Sequence, residues 1–127
     1  MKIRTLLALV RIEPEDPGKI CLGFIENPDG TLGSIMSTVK KGEGSAVAAL
    51  KMAKEYIDVE VEWLDIQEVS FFDIVERDVI VLAYRVRLPS TVSMHKDPVW
   101  VTMEELKDVY QKIDDKELQI QLRCISV

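Results

Sequence analysis

One good helix former, set between extended segments on both sides, constrains this chain more than any other feature. Residues 46–57 are rich in Ala, Leu, Lys, Met and Glu, which lose little side-chain freedom in a helix. Ser45 is placed to cap its N-terminus, where a side-chain oxygen accepts from an orphan backbone N–H. Leu50, Ala53 and Ile57 recur at helical spacing and are expected to face a core, with Lys51 and Lys54 outside. Extended pieces precede the helix: a strand over 3–12, stopped by Pro14, Pro17 and Gly18; a second over 20–25; the turn Asn27-Pro28-Asp29-Gly30; and a third piece over 32–39. A glycine-bearing loop, 40–44, leads into the helix.

The chain returns to extended patterning after the helix. Residues 59–72 read as extended. Residues 79–88 form the strongest strand pattern, ending in an alternation that predicts Tyr84 in, Arg85 out, Val86 in and Arg87 out. A polar loop over 89–98 leads to a short strand at 99–101. Thr102 and Glu105 form a capping box that opens a second helix, and a third is expected over 115–124. Strands, helix, strands, helix is the order of a mixed α/β (α+β) domain. The 46–57 helix should lie on one side of its sheet and the helix after Thr102 on the other. The length, 127 residues at 47% hydrophobic, predicts a single domain over 1–127 with a proper core.

Charge and cysteine usage exclude several function classes. A net charge of −6 argues against nucleic-acid binding and against docking on anionic lipid. No apolar run has membrane-spanning length. The basic, apolar start of the chain lacks a small-residue cleavage site and is interrupted by Arg11 and Glu13, so it reads as a strand and not a signal peptide. A cytoplasmic location is expected. Cys21 and Cys124 are too far apart for metal-ligand spacing and read as free, buried thiols.

Residues 36–59 carry a family resemblance. The Nudix box runs Gly, five of any residue, Glu, seven of any, then Arg-Glu-apolar-any-Glu-Glu-any-Gly-apolar. Laid on this chain without a gap, Glu43, Ala53, Glu55 and Val59 match, and Lys51 replaces Arg with its charge kept. Ser37, Met52, Tyr56 and Asp58 depart. The segment 97–106, with Asp97, Trp100 and a helix start, is similar to the late strand and final helix of the family. The chain thus resembles a Nudix hydrolase with a degenerate box. The resemblance implies a Nudix-like mixed β-sheet sandwiched between helices.

The departures bear on chemistry. In the family, three glutamates on one helix face hold magnesium, which takes hard oxygen ligands. The metal activates water and neutralises a diphosphate. The corresponding positions here are Met52, Glu55 and Tyr56. A thioether is a soft donor and a neutral phenol a poor one, so one ligand of the three remains. The expected function is therefore a catalytically inactive or impaired Nudix-fold protein that binds a ligand or another protein. No resident cofactor is expected, and Glu43, Lys51, Met52, Glu55, Tyr56 and Asp97 are the candidate cleft residues. The alternative is a magnesium- or manganese-dependent pyrophosphohydrolase of nucleoside diphosphate derivatives. Its ligands would have moved to Glu43, Glu55 and loop acids such as Asp73, Glu76, Asp78 and Asp97. The replaced face, Met52 with Tyr56, is partly apolar. Its expected cover is the 89–98 loop, a homodimer partner, or a small nucleotide-like or apolar ligand. Lys51 and Glu55 are spaced as an i, i+4 pair. Ser93 and His95 lie close in sequence but read as surface-loop residues.

Overall fold

The structure, a computed structural model, describes every residue except 14, 17–18, 59, 61–64 and 127. Strands β1 (Lys2–Ile12), β2 (Ile20–Glu26), β3 (Leu32–Gly33) and β4 (Ile35–Thr38) precede helix α1 (Ser45–Tyr56). Then come β5 (Gln67–Ile74), β6 (Val79–Pro89), β7 (Val99–Thr102), α2 (Met103–Val109) and α3 (Asp115–Ser126). The strands form one 7-stranded sheet ordered β3-β2-β1-β6-β5, with β4 beside β1 and β7 beside β2.

The centre of the sheet is a parallel pair, β1 with β6, in register from Lys2 opposite Val79 to Ile12 opposite Pro89. Its residues 6–10, Leu-Leu-Ala-Leu-Val, are all buried, because helices cover both faces and each face needs apolar side chains. Leu7 and Leu9 join Ala49, Met52, Ala53, Tyr56 and Ile57 in one core against α1. Leu6, Ala8 and Val10 join Leu106, Ile120 and Cys124 in another, against α2 and α3. The helices thus lie on opposite sides of the sheet, as the patterning predicts. Leu50 is half-buried against the α1 core, and Lys51 and Lys54 are exposed. Cys21 and Cys124 are free and buried.

Some local expectations are corrected. Residues 32–39 are not one strand. Leu32 and Gly33 pair with β2, and residues 35–38 pair with β1. Ser34 is buried at the break, where its N–H donates to Glu117 Oε1 (2.9 Å) and its hydroxyl accepts from Gln121 Nε2 (3.2 Å). Side chains of α3 therefore hold the switch from one neighbour strand to the other. Arg85 is not outside; it is 6% exposed, beneath α3. Its guanidinium donates to the Cys124 carbonyl (2.6 Å) and to Gln67 Oε1. A cation at the C-terminal end of a helix meets its unpaired carbonyls and its dipole, which is why a charged residue occupies a core-facing position.

Ser45 does not cap α1. The N-cap is Gly44, with no side-chain cap bond, and Ser45 Oγ lies 2.6 Å from the Tyr84 hydroxyl. The loop reaches the helix through Gly42 at φ 82, a left-handed conformation that suits glycine. Of the stretch expected to be extended over 59–72, residues 59 and 61–64, with Trp63, lie outside the described residues, and β5 runs on to Ile74. The capping box at α2 is present: Thr102 Oγ1 accepts from the Glu105 N–H and Glu105 Oε1 from the Thr102 N–H, both at 3.1 Å. No helix of the described residues is long and apolar enough to cross a membrane.

Candidate functional site

The site forms where the end of α1 meets the loop before β7. Helical periodicity turns Met52 and Tyr56, one turn apart, toward the sheet. They are 7% and 5% exposed. The chain's own loop closes over the Tyr56 end of this pair. The Asp58 N–H donates to the Ser93 carbonyl (2.9 Å), the His95 N–H donates to the Tyr56 carbonyl (2.8 Å), and Ile57 makes an isolated bridge with Met94. Side chains add a latch. The Ser93 hydroxyl donates to Asp58 Oδ2 (3.1 Å), and His95 Nε2 lies 3.3 Å from Asp58 Oδ1. Ser93 and His95 thus share an acid with each other and do not form a nucleophile–base pair. Met94 and Trp100 pack against the same core, so the expected loop cover is present.

Beside this closure an open cleft of about 400 Å³ remains, bounded by Ile25, Glu26, Tyr56, Lys96, Asp97 and Val99. The Lys96 ammonium sits over the Tyr56 ring, 5.1 Å from its centre, within the range of a cation–π contact. Lys96 has no carboxylate partner among the described residues. Glu26, at the end of β2, and Asp97, after Lys96, give the cleft acids on two sides.

The expected cleft residues divide. Tyr56 and Asp97 meet at this cleft, and Met52 is buried in the α1 core. Glu43 pairs instead with Lys51 (2.7 Å). That hydrogen bond, with the Lys51 and Lys40 charges, holds the Glu43 carboxyl below its ordinary range. Lys51 therefore pairs with Glu43, and the expected i, i+4 pair with Glu55 is not formed. Glu55 is exposed and has no ion-pair partner among the described residues. Of the loop acids, Glu76 meets Lys116 (3.3 Å) and Asp78 meets the N-terminal amine (3.3 Å). Those two, with Asp73, lie around the β5–β6 turn, at the other end of β6 from Leu88. Among the described residues no three His, Cys, Asp or Glu side chains stand close enough to hold a metal ion. Sequence reasoning missed Lys96 and Glu26. The only signal for either was position, Lys96 beside Asp97 and Glu26 at a strand end before a turn.

The fold is the Nudix fold. A MutT/nudix family protein from Enterococcus faecalis superposes with a TM-score of 0.62 at 16% identity, over 80% of this chain and 43% of its own. This chain thus spans less than half of that protein. A chain of the complex between the C-terminal domain of mouse MUTYH and human PCNA superposes at 0.75 with 12% identity, over 99% and 88% of the two chains. The NUDIX domain of Shewanella oneidensis NrtR, solved with ADP ribose, superposes at 0.65 with 14% identity, over 98% and 86%. No protein-family model and no curated protein sequence matches the chain.

Proposed function

We propose that this chain is a Nudix-fold binding domain that does not carry out metal-dependent hydrolysis, and that it takes a small nucleotide-like ligand in the cleft of Tyr56, Lys96 and Asp97. The observation that carries this reading is the burial of Met52 and Tyr56. They occupy the positions at which the resemblance calls for metal-binding carboxylates, and both are core side chains, Tyr56 beneath a latched loop. The donor set left over does not fit magnesium. A thioether and a phenol are poor ligands for a hard cation. Glu43 is committed to Lys51, and Glu55 belongs to no cluster of three potential metal ligands among the described residues.

Support for the ligand class comes from the cleft itself. Lys96 offers an ammonium with no carboxylate partner among the described residues, a point charge suited to a phosphate oxygen. The NUDIX domain of Shewanella oneidensis NrtR was solved with ADP ribose, which makes that compound the first probe. The loop supplies the cover, so this reading needs no homodimer. A cytoplasmic setting belongs to the same proposal.

Calorimetry with ADP-ribose tests it. Binding is expected in the presence of a chelator, weakened about tenfold by Lys96→Ala through loss of one charge-assisted contact. Magnesium-dependent turnover that disappears in Glu55→Gln would overturn the reading. That outcome favours a hydrolase with relocated ligands at Glu43, Glu55 and Asp97.

A further inference from the structure

Strand β5 ends the sheet beyond β6 and runs 8 residues. The other strands that end or flank the sheet, β3, β4 and β7, span 2, 4 and 4 residues. Among the described residues no strand lies along the outer side of β5, so its outward N–H and C=O groups form a template for a further strand. Its register with β6 sorts its side chains. Glu68, Phe71 and Asp73 stand opposite Tyr84, Leu82 and Ile80, on the α1 face. Phe72 and Ile74 stand opposite Val81 and Val79, on the α3 face.

Each face of this edge has unfilled apolar surface. On the α1 side Phe71 is 65% exposed between two acids. On the α3 side a groove of about 310 Å³ runs between β5 and α3, floored by Phe72, Ile74 and Ile120. Lys116, at its border, is engaged with Glu76. Glu68 and Asp73 have no ion-pair partner among the described residues.

We propose that β5 docks an extended basic–apolar segment of another protein by antiparallel strand addition, a surface separate from the cleft. Main-chain hydrogen bonds supply the attachment and alternate side chains the selectivity. The pattern of β5 dictates the occupant. A cation is required opposite Asp73 and another opposite Glu68. Apolar residues are required opposite Phe72, reaching the α3 groove, and opposite Phe71. Cross-strand pairs of opposite charge stabilise and like charges destabilise. A second copy of the chain fits badly for that reason. With β5 laid against itself over its full length, Glu68 meets Asp73 of the copy, and each copy carries −6. The bulge between Glu68 and Ser70 adds local twist that bars indiscriminate pairing.

The test uses the full chain and two labelled peptides, with cores Lys-Val-Val-Thr-Lys and Glu-Val-Val-Thr-Glu between Gly-Ser flanks. Fluorescence polarisation should show saturable binding of the basic peptide. Binding should be about tenfold weaker for the acidic peptide and for Asp73→Lys protein. Phe71→Ser, at an exposed position that does not threaten folding, should weaken it too. Amide shift changes should concentrate on residues 67–74 and 116–120, and Lys96→Ala should leave peptide binding unchanged. Absence of saturation, indifference to Asp73→Lys, or shifts mapping elsewhere would overturn the proposal. So would the same β5 shifts appearing with protein concentration alone, which would make the occupant a second copy.

Discussion

At the scale of single residues, Met52 and Tyr56 belong to the core face of α1. Placing carboxylates there should not create a metal site. Met52→Glu with Tyr56→Glu puts two charges among Leu7, Leu9, Ala49 and Tyr84, at a combined cost on the order of 5 kcal/mol. A domain has about 5–15 kcal/mol in all. Urea denaturation should show the double variant largely unfolded, with Met52→Leu losing less than about 1.5 kcal/mol. A double variant as stable as the parent contradicts the packing described. The thiols give a second check at this scale. Burial pushes the Cys124 thiol up to about 11, with Arg85 opposing, and Cys21 is 1% exposed. Thiolate is the reactive form, so neither cysteine should react with a thiol reagent until the chain is denatured. Arg85 marks the limit of residue-level reading. Alternation alone sends it to solvent, because a strand pattern carries no information about which helix end lies above it.

At the scale of elements, caps and latches decide where segments begin and what they cover. Asp114 precedes α3, and its carboxylate accepts from the N–H groups of Lys116 (3.0 Å) and Glu117 (3.2 Å) and from both Arg77 Nη atoms. The Arg77 hydrogen bond, helped by the Glu117 N–H, the Arg77 charge and the Lys116 N–H, holds its carboxyl below the ordinary range against burial. The sign follows. The unfolded chain takes up this proton first, near pH 4, so the stabilisation is full above that pH and is lost as pH falls through the lower, folded value. Acid titration of stability should show this loss, and Asp114→Ala should remove it together with about 1 kcal/mol of capping. The loop latch predicts differently. Asp58→Ala should raise hydrogen exchange at the His95 amide with little loss of global stability, since the pair is half-exposed. Unchanged exchange there contradicts a side-chain latch.

The helices and the main strands were legible in the sequence because periodicity and capping are local: residues 46–57, 79–88 and the Thr102–Glu105 box all stand. The division of residues 32–39 was not, since its cause is Glu117 and Gln121, far along the chain, meeting Ser34. The same holds for the cleft. Glu43, Lys51, Met52, Glu55, Tyr56 and Asp97 were found through the box and its surroundings, but which of them meet depends on the loop folding back over α1. Lys96 acquires its place only through that fold-back.

At the scale of the whole molecule, a sheet covered on both faces carries two surfaces that differ in chemistry. The cleft between α1 and the β7 loop holds Lys96 between acids. The β5 edge, on the far side of β6, holds acids around Phe71. The Met52–Tyr56 face lies in the α1 core, with Tyr56 bordering the first of these surfaces. The central claim is that this face has been given over to packing. Its most direct measurement is phosphorus NMR of ADP-ribose incubated with the purified chain and excess magnesium. The account predicts ligand-induced changes of the diphosphate signals with no new phosphomonoester signal over many hours. Appearance of that signal with the parent chain, and its absence with Glu55→Gln, would contradict it.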